Sequence, residues 1–168
     1  MAINEKDMVA EFTREIKSAH GADRLLVCYQ CGKCMAGCPV ARVNETFSPK
    51  KLVRLAQLGL EELVLNKKSP IWMCTTCYNC LEGCPQDVEP TEIFLAMKAM
   101  AARRGIMPMG RKMSFNLLAK NGRTFEIREE ARQARTELGL GPCPEVDTAK
   151  TVALLELRGV LQILTGRK

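Results

Sequence analysis

The sequence has a single histidine, His20, and contains neither a Gly-rich dinucleotide loop nor a Cys-Cys-Gly repeat in its 168 residues. Once the cysteines are accounted for, nothing is left over to build a constellation for substrate chemistry. His20 lies beside the end of a predicted helix and reads as a capping or surface residue. No stretch approaches roughly 18 uninterrupted apolar residues, and Glu156 and Arg158 interrupt even the leucine-rich C-terminal part, so no membrane span is expected. Met1 to Ala10 carries Glu5, Lys6 and Asp7 and lacks the apolar core of an export signal. A disulfide framework is therefore not expected, and a reducing compartment, the cytoplasm, is. Strand-like alternation is missing as well, which points to helices.

Cysteine is what the chain does have, nine in all. Residues 74–85 read Cys-Thr-Thr-Cys-Tyr-Asn-Cys-Leu-Glu-Gly-Cys-Pro, and 46 residues upstream Cys28-Tyr-Gln-Cys31-Gly-Lys-Cys34-Met-Ala-Gly-Cys38-Pro39 repeats the pattern. Three cysteines at every third position, a fourth four residues on and then a proline form the ligand run of a bacterial-type [4Fe-4S] cluster. A cubane presents separate iron corners, and a tightly turning backbone brings thiolates to only some of them from one short stretch. In two-cluster proteins of this type the fourth cysteine of each run ligates the other cluster. That rule predicts Cys28, Cys31, Cys34 and Cys84 around one cluster and Cys74, Cys77, Cys80 and Cys38 around the second. Gly37 and Gly83 suit a close approach of backbone to sulfide, while Pro39 and Pro85 fix the exit direction. Zinc is the competing reading. It prefers two separated pairs of cysteines in a closed shell of four, which would leave each run with a surplus ligand.

The flanks read as helices. Met8, Phe12 and Ile16 form a stripe over Glu5–Ala19, and Ser48-Pro49 and Ser69-Pro70 are N-cap pairs. Leu60–Asn66 reads as a short helix, and Pro90 starts a helix that Gly105 stops. A cluster run followed by a proline-started helix thus occurs twice, predicting a pseudo-symmetric all-α core rather than the small β-rich ferredoxin fold. Trp72, Tyr29 and Tyr78 are candidates to shield clusters or simply to pack. Residues 1–105 are expected to form this domain, and residues 106–168 a helical C-terminal extension that docks a partner. Within the extension, helices are expected over Gly110–Lys120 and Glu126–Leu138. A final helix should carry a seam of Leu154, Leu157, Leu161 and Leu164. Cys143, between two prolines and outside both runs, reads as a free thiol. The formal net charge of +6 lies wholly between Arg103 and Arg135, where nine Lys or Arg face three Glu. Such a basic stretch would fit a nucleic-acid-binding regulator, but only Phe115 and Phe125 interleave it, and docking of an acidic partner is the simpler use.

Ser48-Pro-Lys-Lys-Leu-Val-Arg-Leu-Ala-Gln-Leu-Gly59 and Ile71-Trp-Met-Cys-Thr-Thr-Cys-Tyr-Asn-Cys80, followed by Cys84-Pro85 and the helix from Pro90, go beyond a generic ferredoxin run. Over roughly Leu26 to Gly105 the sequence resembles the small iron–sulfur subunit, the C-type, of heterodisulfide reductases and heterodisulfide-reductase-like complexes. The resemblance implies an α-helical ferredoxin-like fold with two [4Fe-4S] clusters and an electron-transfer role without an active site in this chain. It also implies two heterodisulfide reductase partners: a catalytic protein of the B-type and a flavin-containing protein of the A-type. Iron–sulfur subunits of other flavin dehydrogenases or quinone-linked complexes share the paired runs. Those of succinate dehydrogenase add a plant-type cluster domain and those of glycerol-3-phosphate dehydrogenase add Cys-Cys-Gly domains, and this sequence has neither.

Overall fold

Every regular element among the described residues is helical, and none of them forms a strand; the computed structural model describes residues 4–165. The chain divides into two units, Met1–Ile106 and Met107–Lys168. In the first unit the helices are α1 (Ala10–Lys17), α2 (Lys33–Ala36), α3 (Pro39–Val43), α4 (Pro49–Gln57), α5 (Glu61–Val64), α6 (Asn79–Glu82) and α7 (Pro90–Arg103), with 3₁₀ turns at Asp23–Val27 and Pro70–Met73.

The cap chemistry acts where the sequence places it. Ser48 Oγ accepts the Lys51 N–H at 3.1 Å and Pro49 occupies the first turn of α4, so an otherwise orphan donor is satisfied. Ser69 Oγ accepts from Ile71 N–H at 3.4 Å ahead of the second run. α7 also starts on a proline, after Glu89 in a left-handed conformation with φ of 54°. Leu52, Val53 and Ala56 of α4 and Ile93, Phe94 and Met97 of α7 are buried in one core with Phe12 and Ile16 of α1. Each of the larger side chains there contributes about 1.5–3 kcal/mol by leaving water. α4 packs on α7, and α2 packs on α6, so the parts that follow or belong to the two runs meet as pairs. Arg104, just past α7, pairs with Glu15 at 3.1 Å and with Glu61, drawing α1 and α5 to that end. At partial exposure these pairs contribute at most about 1 kcal/mol each.

One predicted helix divides. Residues 5–19 give a 3₁₀ turn, Glu5–Asp7, and then α1, because the Val9 N–H is taken by the Gly59 carbonyl at 2.8 Å instead of a helical partner. Gly59 has φ of 69°, and a Cβ there would sit 2.5 Å from the Val9 oxygen, so this contact needs glycine.

The second unit holds α8 (Met109–Asn121), α9 (Glu129–Glu137), α10 (Thr148–Leu157) and α11 (Val160–Thr165), with α8, α10 and α11 packed together. Asp147 caps α10 by accepting the Lys150 N–H at 3.1 Å, and that backbone hydrogen bond holds its carboxyl below the usual range. The leucine seam does not run along one helix. Gly159, at φ of 67°, ends α10, which leaves Leu154 and Leu157 at 62% and 79% exposure while Leu164 on α11 falls to 5%. α9 buries none of its residues, in keeping with its charged sequence.

Candidate metal centres

Both cysteine runs turn on left-handed residues. Gln30 and Gly32 in the first run have φ of 67° and 87°, and Thr76 and Tyr78 in the second have φ of 54° and 63°. In each run these two residues flank the second cysteine and turn the chain there. Gly37 and Gly83, the glycines singled out by sequence, have ordinary φ of −85° and −84°. For a residue with a side chain the left-handed region costs about 1–2 kcal/mol, a cost concentrated here in the two cysteine runs.

The first cysteine of each run is held by the helix that follows that run. Gln57 of α4 donates from Nε2 to the Leu25 and Cys28 carbonyls at 3.1 and 2.9 Å. Lys98 of α7 donates from Nζ to the Cys74 carbonyl at 2.8 Å. Across the pseudo-symmetric pair, Asn79 Nδ2 donates to the Gly37 carbonyl at 3.3 Å. That contact ties the end of the first run to the start of α6.

A narrow hollow is lined by Cys74, Cys77 and Cys80 from the second run and by Cys38 from the first, with Thr91 and Phe94 among its walls. Phe94 backs it edge-on to Phe47, with ring centroids 6.3 Å apart at 77°. Cys38 and Cys80 are buried and Cys77 is exposed. Cys38 Sγ accepts the Ala41 N–H at 3.4 Å, and Thr91 Oγ1 lies 3.1 Å from Cys80 Sγ. Around the other run, the Tyr29 phenol is pushed above its ordinary value by desolvation and then by the Cys31, Cys84 and Cys28 sulfurs. The Cys84 sulfur thus acts electrostatically on a residue of the first run. Cys84 Sγ accepts the Val88 N–H at 3.4 Å, matching Cys38 in the other half.

The donor set fits cationic iron. Burial first, and then the neighbouring Cys80, Cys28 and Cys31, push the Cys34 thiol up to about 11, and burial likewise raises Cys80. Thiols so placed stay protonated until a positive core offsets their charges. Among the described residues no group of three or more His, Cys, Asp or Glu side chains converges as a single ion requires. A cubane asks for wider spacing, because each thiolate takes its own iron. The buried indole N–H of Trp72, two residues before Cys74, has no acceptor among the described residues, and a sulfide-bearing group within reach would give it one. Tyr29 and Tyr78 are exposed, so of the three candidate shields only Trp72 packs against the core. His20 is exposed, and Cys143 lies half-buried in the second unit. The Thr91, Gln57 and Lys98 contacts are not visible in the sequence. The one signal for them is position, since each stands at a fixed distance after the proline that opens the helix behind its run.

Residues 24–88 match the model of the 4Fe-4S dicluster domain family. The chain is 32% identical over 168 residues to the iron–sulfur C-subunit of the CoB–CoM heterodisulfide reductase of Methanopyrus kandleri, covering 96% of this chain and 86% of that one. It is 31% identical over 160 residues to the C-subunit of the H2:CoB–CoM heterodisulfide, ferredoxin reductase of Methanothermobacter thermautotrophicus, covering 95% and 85%. To the C-subunit of the ferredoxin:CoB–CoM heterodisulfide reductase of Methanosarcina mazei it is 33% identical over 156 residues, covering 92% and 93%. Helices alone, two cysteine runs and a dicluster domain define an iron–sulfur electron-transfer protein that carries two [4Fe-4S] clusters. Within that class the chain belongs to the family of heterodisulfide reductase C-subunits. It is the electron-transfer subunit of a multi-subunit oxidoreductase, and among the described residues no helix is long and apolar enough to cross a membrane.

Proposed function

We propose that Cys28, Cys31, Cys34 and Cys84 hold one [4Fe-4S] cluster and that Cys74, Cys77, Cys80 and Cys38 hold the other. The observation that carries this reading is the hollow in which Cys38 lies with the three cysteines of the second run. Each cluster supplies one-electron storage when bound. The chain's own residues set the loops, hold the first cysteine of each run by its carbonyl and bury Cys38 and Cys80. Electrons then pass singly between a flavin-containing partner of the A-type and a catalytic partner of the B-type that acts on a disulfide such as CoB–CoM. Catalysis belongs to the latter, since this chain keeps no further cysteine or histidine constellation. Residues 1–105 form the cluster domain, residues 106–168 serve partner docking, and the complex works in the cytoplasm.

Cys84→Ser tests the crossed arrangement. Electron paramagnetic resonance of the reduced protein should show the signal of the Cys28, Cys31 and Cys34 cluster altered and the other intact. A change confined to the cluster of Cys74, Cys77 and Cys80 would mean that each run serves itself. The isolated chain should accept electrons from dithionite without turning over disulfides, and adding the catalytic B-type partner should restore turnover. Disulfide reduction by the single chain, free of partner, would move catalysis here.

A further inference from the structure

The two halves of the first unit repeat the same parts, and one difference between them bears on the electrons. α4 starts at Pro49 and α7 at Pro90. One residue past the proline stand Lys50 and Thr91, and eight past it stand Gln57 and Lys98. Gln57 and Lys98 make the same contact, each donating to the carbonyl of the first cysteine of its run, but one is a neutral amide and the other an ammonium. Lys50 is exposed, whereas Thr91 is 1% exposed with its hydroxyl 3.1 Å from Cys80 Sγ.

Resting on the ligand assignment just proposed, we infer that Thr91 and Lys98 raise the reduction potential of the cluster held by Cys38, Cys74, Cys77 and Cys80. A thiolate bound to iron carries no proton, so in the Thr91–Cys80 pair the hydroxyl is the donor. Reduction adds one electron and no proton to an assembly that already bears about two negative charges. A donor aimed at a ligand sulfur and an ammonium fixed on a ligand carbonyl therefore favour the reduced state. Burial strengthens the Thr91 effect most, because little water competes there, while the part-buried Lys98 contact is more open to screening. The backbone donors do not distinguish the clusters, since Ala41 on Cys38 and Val88 on Cys84 both stand at 3.4 Å, one to each set. In the other half the side-chain donors at ligand sulfurs among the described residues include Gln30 Nε2, neutral and 3.4 Å from Cys28 Sγ, and the exposed Tyr29 hydroxyl at Cys31, both less buried than Thr91. Burial of Cys38 and Cys80 works in the opposite sense, because an apolar setting disfavours added charge. Thr91 and Lys98 offset that penalty and keep the more buried cluster reducible.

The test is an anaerobic redox titration of the full chain, reading each reduced cluster by its paramagnetic signal. Thr91→Val should keep both clusters and move one midpoint to lower potential, with the other unmoved. The expected change in the constant for electron exchange between the clusters is up to about tenfold, or about 59 mV for one electron. Thr91→Ser, which keeps the hydroxyl, should stay near the parent value, and Lys98→Gln should move the same midpoint in the same direction. The inference is overturned if neither midpoint moves, if both move together, or if serine shifts the potential as far as valine, which would report packing. Loss of the cluster in Thr91→Val with Lys98→Gln unmoved also overturns it, assigning Thr91 to assembly. Cys80→Ser separates the two levels. Intact signals from both clusters in that variant would refute the ligand assignment, whereas one altered signal beside an unmoved Thr91→Val midpoint would refute the tuning alone.

Discussion

Truncating Phe94 to alanine asks whether the aromatic pair behind the second hollow does more than fill space. Phe94 and Phe47 are each 1% exposed and meet edge-on. Removing a ring so buried costs about 3–5 kcal/mol, of which about 0.5–1.5 kcal/mol belongs to the aromatic pair itself. Against a total of about 5–15 kcal/mol for a domain, the single change takes a large fraction of the stability. In a double-mutant cycle with Phe47→Ala, the two changes should couple by about 0.5–1.5 kcal/mol, more than the scatter of about 0.3–0.5 kcal/mol seen for independent sites. Both rings also line the hollow, so on the ligand assignment proposed above their loss should admit water and oxygen to one cluster and not the other. The assay is anaerobic urea unfolding at fixed incubation time, read by circular dichroism and visible absorbance, followed by bleaching in air. In air, Phe94→Ala should lose about half of its iron quickly and the rest at the parent rate. Additive free energies, or equal acceleration of both halves of the bleaching, would refute the reasoning.

Gly59→Ala forces a side chain into the left-handed region against the Val9 oxygen and should cost about 2–3 kcal/mol, combining about 1–2 for the backbone with about 1 for the lost hydrogen bond; an unchanged melting temperature would show that the Val9 segment does not depend on this contact. Anaerobic protein should carry about eight iron and eight sulfide per chain, two clusters of four, as chemical analysis can check, and stoichiometric zinc would contradict it. Deleting Thr148–Lys168 should release partner chains in co-purification while the iron content stays at about eight. Collapse of the iron content on that deletion would mean that the segment supports the cluster domain.

Much of this is legible in the sequence because it is local. The spacing of cysteines, Ser48 before Pro49, Ser69 before Pro70 and Pro90 before an apolar stripe all act within a few residues. Their caps and helix starts form at those positions. Gly159 gives no clear stop signal because the leucine spacing continues across it, and periodicity does not register a single left-handed residue. The split before α1 depends on Gly59, fifty residues away along the chain. Thr91 and Lys98 stay hidden for the same reason. A threonine in the first turn of a helix is unremarkable until packing sets it against Cys80. The left-handed Thr76 and Tyr78 also escape a sequence reading, since residues with side chains in that region give no compositional signal where glycine would.

Cys38 shares a hollow with cysteines that begin 36 positions later in the chain. On the ligand assignment proposed above, this sets an order on manufacture. As the chain leaves the ribosome, the first run arrives with only three of the thiols its own cluster requires, and its fourth thiol waits for a partner run that has not been made. Iron delivered at that moment meets an incomplete cage open to water. A cluster held there would keep one iron open to water, so both shells close only once the second run has been made.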